Sequence, residues 1–149
     1  MTLLQTIHAI EGVASKQPTV ASIVRNDVYR LNGLPDAKYG VFAWLQGEHS
    51  TSLDGSLYTF AFTFFYVDRL DFDKTNEVQI QSVGIETLEN ILTDLRNYGV
   101  EASEHSFRTF NERFSDECAG VFCSVRLEVP KDTLCETTFA DFNNDLNIY

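Results

Sequence analysis

Between Tyr58 and Tyr66 every second residue is aromatic: Tyr58, Phe60, Phe62, Phe64 and Tyr66. A strand sends alternate side chains to one face, so five rings line one side of an extended segment over 57–67. Thr59, Ala61, Thr63, Phe65 and Val67 take the other side. The small residues there suggest a face that a helix approaches closely. The ring face has two readings, as core or as a partly exposed subunit interface in which Tyr58 and Tyr66 are the outer members.

The rest of the chain is read the same way. Leu3, Leu4, Ile7, Ile10, Val13 and Ala14 recur at helical spacing over 2–15. Thr2 is placed to cap that helix, with Gln5 as the partner of a capping box. A second helix is predicted from 77 to 97, with Asn76 as N-cap and Gln79 three residues on. Its stripe is Ile80, Gly84, Thr87, Leu88, Ile91, Leu92 and Leu95, and Gly99 fits its C′ position. A glycine inside that stripe costs about 1 kcal/mol relative to alanine, which close packing on a sheet can offset.

Strands are predicted at 20–31 with a break near Asn26-Asp27, at 39–46, at 105–114 and at 121–129. In the second, Val41, Ala43 and Leu45 oppose Phe42 and Trp44. In the last, Val121, Cys123, Val125, Leu127 and Val129 face inward, opposite Ser124, Arg126 and Glu128, and Pro130 closes the run. The 105–114 segment, with Phe107, Phe110 and Phe114, also fits helical spacing. The polar stretch 46–56 reads as an exposed loop between antiparallel strands and as a partner-contacting tip. These elements predict an α+β fold: a mainly antiparallel sheet of four to five strands with two helices on one face. One domain is expected over 1–130, followed by an acidic arm at 131–149.

The chain has 149 residues, a formal charge of −11, and no basic cluster suited to phosphate neutralisation, so sequence-specific nucleic-acid binding is not expected. No apolar run is long enough to span a membrane as a helix, and no signal peptide is evident. The three cysteines, Cys118, Cys123 and Cys135, have no spacing that suggests a disulfide framework. Asp71-Phe72-Asp73-Lys74-Thr75-Asn76-Glu77 resembles the start of a calcium loop. Asn76 and Ser82 occupy the positions where such a loop needs Gly and Glu, so the segment reads as a strand-to-helix turn. His8, His49 and His105 form no metal-ligand pattern, and no nucleophile elbow, dinucleotide fingerprint or phosphate loop occurs. No enzyme, cofactor or metal is expected on this reading. A catalytic alternative would need distant residues brought together, such as His49 with Asp68 or Asp71.

Tyr66-Val67-Asp68-Arg69-Leu70, Ile80-Gln81-Ser82, Leu88-Glu89-Asn90-Ile91-Leu92 and Phe114-Ser115-Asp116-Glu117-Cys118-Ala119-Gly120-Val121, in this order among the elements, resemble the small neck and tail-completion proteins of tailed bacteriophages. The similarity is to the tail-terminator-like group of Bacteroidetes phages or prophages, and covers roughly 1–129. It implies a structural virion protein that forms rings, commonly six-fold, between tail tube and head or portal. The partners it implies are further copies of itself, as a hexamer or dodecamer, and the adjacent tail-tube, portal or connector proteins. DNA would pass through an acidic lumen without being bound. The expected interface residues are His49 in the 47–56 loop, Asp68, Arg69 and Asp71 at the strand end, and Phe139, Phe142 and Tyr149 in the arm. The arm itself has two readings, docked on a neighbour or folded back on its own domain. A small adaptor without catalytic activity is the alternative function.

Overall fold

A computed structural model describes residues 1–27, 38–113, 117–131 and 146–149. In chain order the elements are α1 (Leu3–Ser15), β1 (Ser22–Arg25), β2 (Val41–Gln46), β3 (Ser50–Thr51), β4 (Leu57–Arg69), α2 (Glu77–Leu95), a 3₁₀ turn (Arg96–Tyr98), β5 (Glu101–Arg113), β6 (Cys118–Pro130) and β7 (Asn147–Ile148). The predicted α+β class holds, with two helices and seven strands among the described residues. The sheet order is β5-β6-β4-β2-β1-β7, with β3 paired to β4 beside β2.

The sheet is mixed, with most pairings antiparallel as expected, and among the described residues it has more strands than the predicted four to five. β4, β5 and β6 pair antiparallel and β2 runs antiparallel to β4, but β1 is parallel to both β2 and β7. Two of the added strands, β3 and β7, are two residues long and carry no apolar alternation of their own. They are strands because a longer neighbour supplies the ladder.

Both helices cover the ring face. Phe60, Phe62, Phe64 and Tyr66 join Ile23, Phe42 and Trp44 in one core with Ile10, Val13 and Ala14 of α1 and Ile80, Leu88, Ile91, Leu92 and Leu95 of α2. The Phe42 and Phe64 rings lie 5.3 Å apart, both fully buried. Each such side chain contributes about 1.5–3 kcal/mol of burial. This corrects the expectation that a helix approaches over Thr59, Ala61 and Thr63. Alternation defines two faces without saying which one the helices choose, and the larger apolar area lies on the ring side.

At Gly84 α2 lies close against the sheet. A Cβ there would stand 3.0 Å from Tyr66 Cδ1 and from Val121 Cγ2. A second, smaller apolar cluster lies on the opposite face of the sheet, built from Val24, Val41, Ala43, Phe65, Val67, Phe110 and Cys118. β2 therefore divides its side chains between the two clusters, as its two apolar faces predicted.

The N-terminal cap of α1 forms as expected. Gln5 N–H donates to Thr2 Oγ1 at 3.2 Å, and Thr2 N–H donates to Gln5 Oε1 at 2.8 Å. Asn76 behaves differently: its side chain makes no cap bond to α2. Gly99 adopts the left-handed conformation after the 3₁₀ turn, φ 76°. Glu11, 1% exposed, is held by Arg25 Nε at 2.6 Å, which ties α1 to β1.

Candidate functional site

β4 is thirteen residues long, and its two ends present the most exposed apolar side chains among the described residues, Leu53 and Phe72. At 3.2–3.4 Å per residue the strand separates them by roughly 40 Å. Each sits in a turn fixed by side-chain hydrogen bonds.

The first end is the β3–β4 hairpin. His49 occupies an irregular step between β2 and β3, where its Nδ1 accepts the Ala61 N–H at 3.2 Å. That role leaves the proton on Nε2, which donates to Gln46 Oε1 at 3.1 Å. The imidazole also stands edge-on to Phe60, centroids 5.3 Å apart. Beyond it, Asp54 Oδ1 accepts from Ser52 Oγ at 2.7 Å, Ser56 N–H at 3.0 Å and Ser56 Oγ at 2.7 Å. These bonds, the Ser52 hydroxyl first, lower the Asp54 carboxyl to about 2. Gly55 supplies the positive φ, 74°. The tip is thus a closed turn that holds Leu53 fully in solvent.

The second end is the strand-to-helix turn. Asn76 serves this turn instead of capping α2: its Oδ1 accepts the Asp71 N–H at 2.8 Å and its Nδ2 donates to Arg69 O at 3.2 Å. Asp73 Oδ1 accepts from Thr75 Oγ1 at 2.9 Å and Thr75 N–H at 3.3 Å, which lowers its pKa. Asp68 accepts the Arg69 N–H at 2.8 Å. Burial raises the Asp68 pKa, with Asp71 adding to the rise and the Arg69 N–H and guanidinium opposing it. The Arg69 guanidinium lies over the Tyr39 ring, 4.8 Å from its centroid. Phe72, between Asp71 and Asp73, is fully exposed. Asp68, Asp71, Asn76, Gln79, Ile80 and Val83 line a shallow depression of about 190 Å³ beside it.

The expected interface residues therefore fall into separate places. His49 lies at the hairpin end; Asp68, Arg69 and Asp71 lie together at the turn end. Ala61, to which His49 is bonded, is seven residues along β4 from Asp68, a span of roughly 23 Å, so His49 does not meet Asp68 or Asp71. Tyr149 is bound into the sheet of its own domain: its N–H donates to Ile23 O at 2.9 Å, its carbonyl accepts the Arg25 N–H at 3.1 Å, and its ring packs on the second cluster. Phe139 and Phe142 lie outside the described residues, as do Cys135 and most of the 131–149 segment.

Among the described residues no three or more His, Cys, Asp or Glu side chains converge to hold a metal. Cys118 and Cys123 are buried, and burial pushes the Cys123 thiol up to about 12. No helix of the described residues is long and apolar enough to cross a membrane. No protein-family model matches the chain, and no curated protein sequence matches it.

Sequence reading placed the two turns but missed Leu53 and Phe72. The available signal was one large apolar residue inside each run of turn-forming polar residues, Ser52-Leu53-Asp54-Gly55 and Asp71-Phe72-Asp73.

Proposed function

We propose that this chain is a structural subunit of a tailed-phage neck or tail terminator, assembled head-to-tail into a ring that joins tail tube to head or portal. The observation that carries the ring is the pair of fully exposed side chains, Leu53 and Phe72, held at opposite ends of β4 on turns fixed by Asp54 and Asn76. A cyclic assembly needs two different patches on each subunit, one meeting the other on the neighbour. Two ordered turns on either end of a long strand meet that requirement, and each carries an exposed apolar side chain that a neighbour would bury.

The virion setting rests on the resemblance of Tyr66–Leu70 and the α2 segments to neck and tail-completion proteins. The acidic balance, −11, agrees with a lumen through which DNA passes without binding. On this reading Asp68, Arg69 and Asp71 flank the Phe72 contact and His49 supports the Leu53 contact.

Native mass spectrometry of the full chain, with negative-stain imaging, tests the proposal. Closed rings are expected for the unmodified chain, while Leu53→Asp and Phe72→Asp each abolish them. Mixing the two variants restores one intact contact per pair, Leu53 of one with Phe72 of the other, and yields open assemblies only. Rings that survive both substitutions would place the contact elsewhere. Absence of rings at every concentration, with and without tail-tube protein, would end the neck reading.

A further inference from the structure

We propose that two copies of this chain also pair through β5, edge to edge and antiparallel, in a register centred on Ser106. Among the described residues β5 is the terminal strand of the sheet on the side away from β7, and from Glu104 to Arg108 only Phe107 is less than exposed. Long edges are usually blunted by proline, by bulges or by charged side chains, lysine above all, which repel any partner that does not match them. β5 contains no proline and no lysine, and its two bulges fall between Ala102 and Glu104 and between Phe110 and Arg113. The stretch between them, Glu104–Phe110, is a regular ladder edge. At the other side of the sheet the edge is the two-residue β7, too short to template a partner.

The side chains select the partner and the register. Glu104, Ser106 and Arg108 lie on the sheet face opposite the helices, in register with Arg126, Ser124 and Phe122. His105 and Phe107 lie on the helix side, where Phe107 packs against the main core. In an antiparallel pair centred on Ser106, Glu104 of each copy faces Arg108 of the other, twice by symmetry. His105 of each copy faces Phe107 of the other on the helix side. Sliding the centre to Phe107 would set Glu104 against Phe110 and Arg108 against Ser106, leaving the charges unmatched. Opposite charges directly across a strand pair stabilise it and like charges destabilise it, so the edge is complementary to itself. Glu104 is 80% exposed and its only ion-pair contact among the described residues is Arg126 at 3.8 Å, so it is available to a second partner. A two-fold contact of this kind closes on itself. It is independent of the ring: it uses neither Leu53 nor Phe72, and it joins chains in pairs.

The test uses the full chain carrying Leu53→Asp, which silences the end-to-end contact, and measures self-association by sedimentation. The parent is expected to form dimers. Glu104→Arg or Arg108→Glu each places like charges opposite one another twice and weakens dimerisation by about tenfold or more. The double exchange, E104R with R108E, restores the opposition in reversed sense and returns the dissociation constant to within a few-fold of the parent. All the substituted side chains are exposed, and circular dichroism checks that the fold is unchanged. A monomeric parent overturns the proposal. So does a dimer indifferent to the single reversals, and so does a double exchange that stays as weak as the singles. Failure here leaves the ring reading standing, since rings are scored in the chain with Leu53 intact.

Discussion

Asp68 combines a half-buried position, a hydrogen bond from its neighbour's N–H and a second carboxylate at Asp71. Burial wins, and the folded state holds its proton more tightly than the unfolded chain does. The stability Asp68 contributes is therefore fully present below its ordinary value of 3.8 and is lost as pH rises through the raised folded value. Asp68→Asn keeps an oxygen to accept the Arg69 N–H and removes the charge. At pH 7 the variant is expected to be slightly more stable than the parent, the gain being reduced by solvent screening at this half-buried position. The advantage should shrink as pH falls through 3.8 and vanish well below it, where the parent carboxyl is protonated in both states. Urea melts of dilute protein at the two pH values measure it. A variant less stable than the parent at neutral pH would mean that the carboxylate is paired rather than penalised.

At the scale of elements, α2 meets the sheet through a position where helix preference and packing disagree. Alanine at 84 would favour the helix by about 1 kcal/mol, yet its Cβ meets Tyr66 and Val121 at 3.0 Å. Tyr66 cannot yield easily, because its hydroxyl donates to Thr19 O at 3.3 Å. Overpacking typically costs about 1–3 kcal/mol, so Gly84→Ala is expected to destabilise by up to about 2 kcal/mol, read as a lower urea midpoint with an unchanged slope. Stabilisation would show that α2 lifts freely. The stripe Ile80-Gly84-Leu88-Ile91-Leu95 was legible because one helix side carries it. β6 was legible because Val121 to Val129 alternate without a break. The Thr2–Gln5 cap was legible because it is local. What stayed hidden depends on residues far apart in sequence. β1 finds parallel partners in β2 and in Asn147–Ile148, and nothing within Ser22–Arg25 announces either. Asn76 has the right identity for a cap, but the Asp71 N–H and the Arg69 carbonyl compete for its amide and take it. Leu53 and Phe72 were hidden for a further reason: a single apolar residue inside a polar turn belongs to neither the helical nor the strand period.

For the whole molecule, the two proposed contacts should answer oppositely to salt. Around the hairpin tip the side-chain charges are Glu48 and Asp54 against Lys131, whose N–H donates to Ser56 O, a net of −1; around the turn they are Asp68, Asp71 and Asp73 against Arg69 and Lys74, also a net of −1. Bringing these ends together sets like charge against like within a subunit whose total is already −11. Raising ionic strength from about 0.01 M to 0.15 M shortens the screening length from about 30 Å to about 8 Å. Such screening relieves the repulsion while leaving the burial of Leu53 and Phe72 intact, so rings should form at lower protein concentration in the higher salt. The β5 pair is held in part by Glu104 facing Arg108, and the same screening weakens it. A salt series followed by native mass spectrometry at low volatile-salt concentration and by sedimentation above it separates the two effects. The ring fraction should rise across the range, while the dimer of the Leu53→Asp chain declines. Rings that fall apart as salt is added would show that their contact is made of opposite charges, and the apolar turns at the ends of β4 would then not be the surface that joins the subunits.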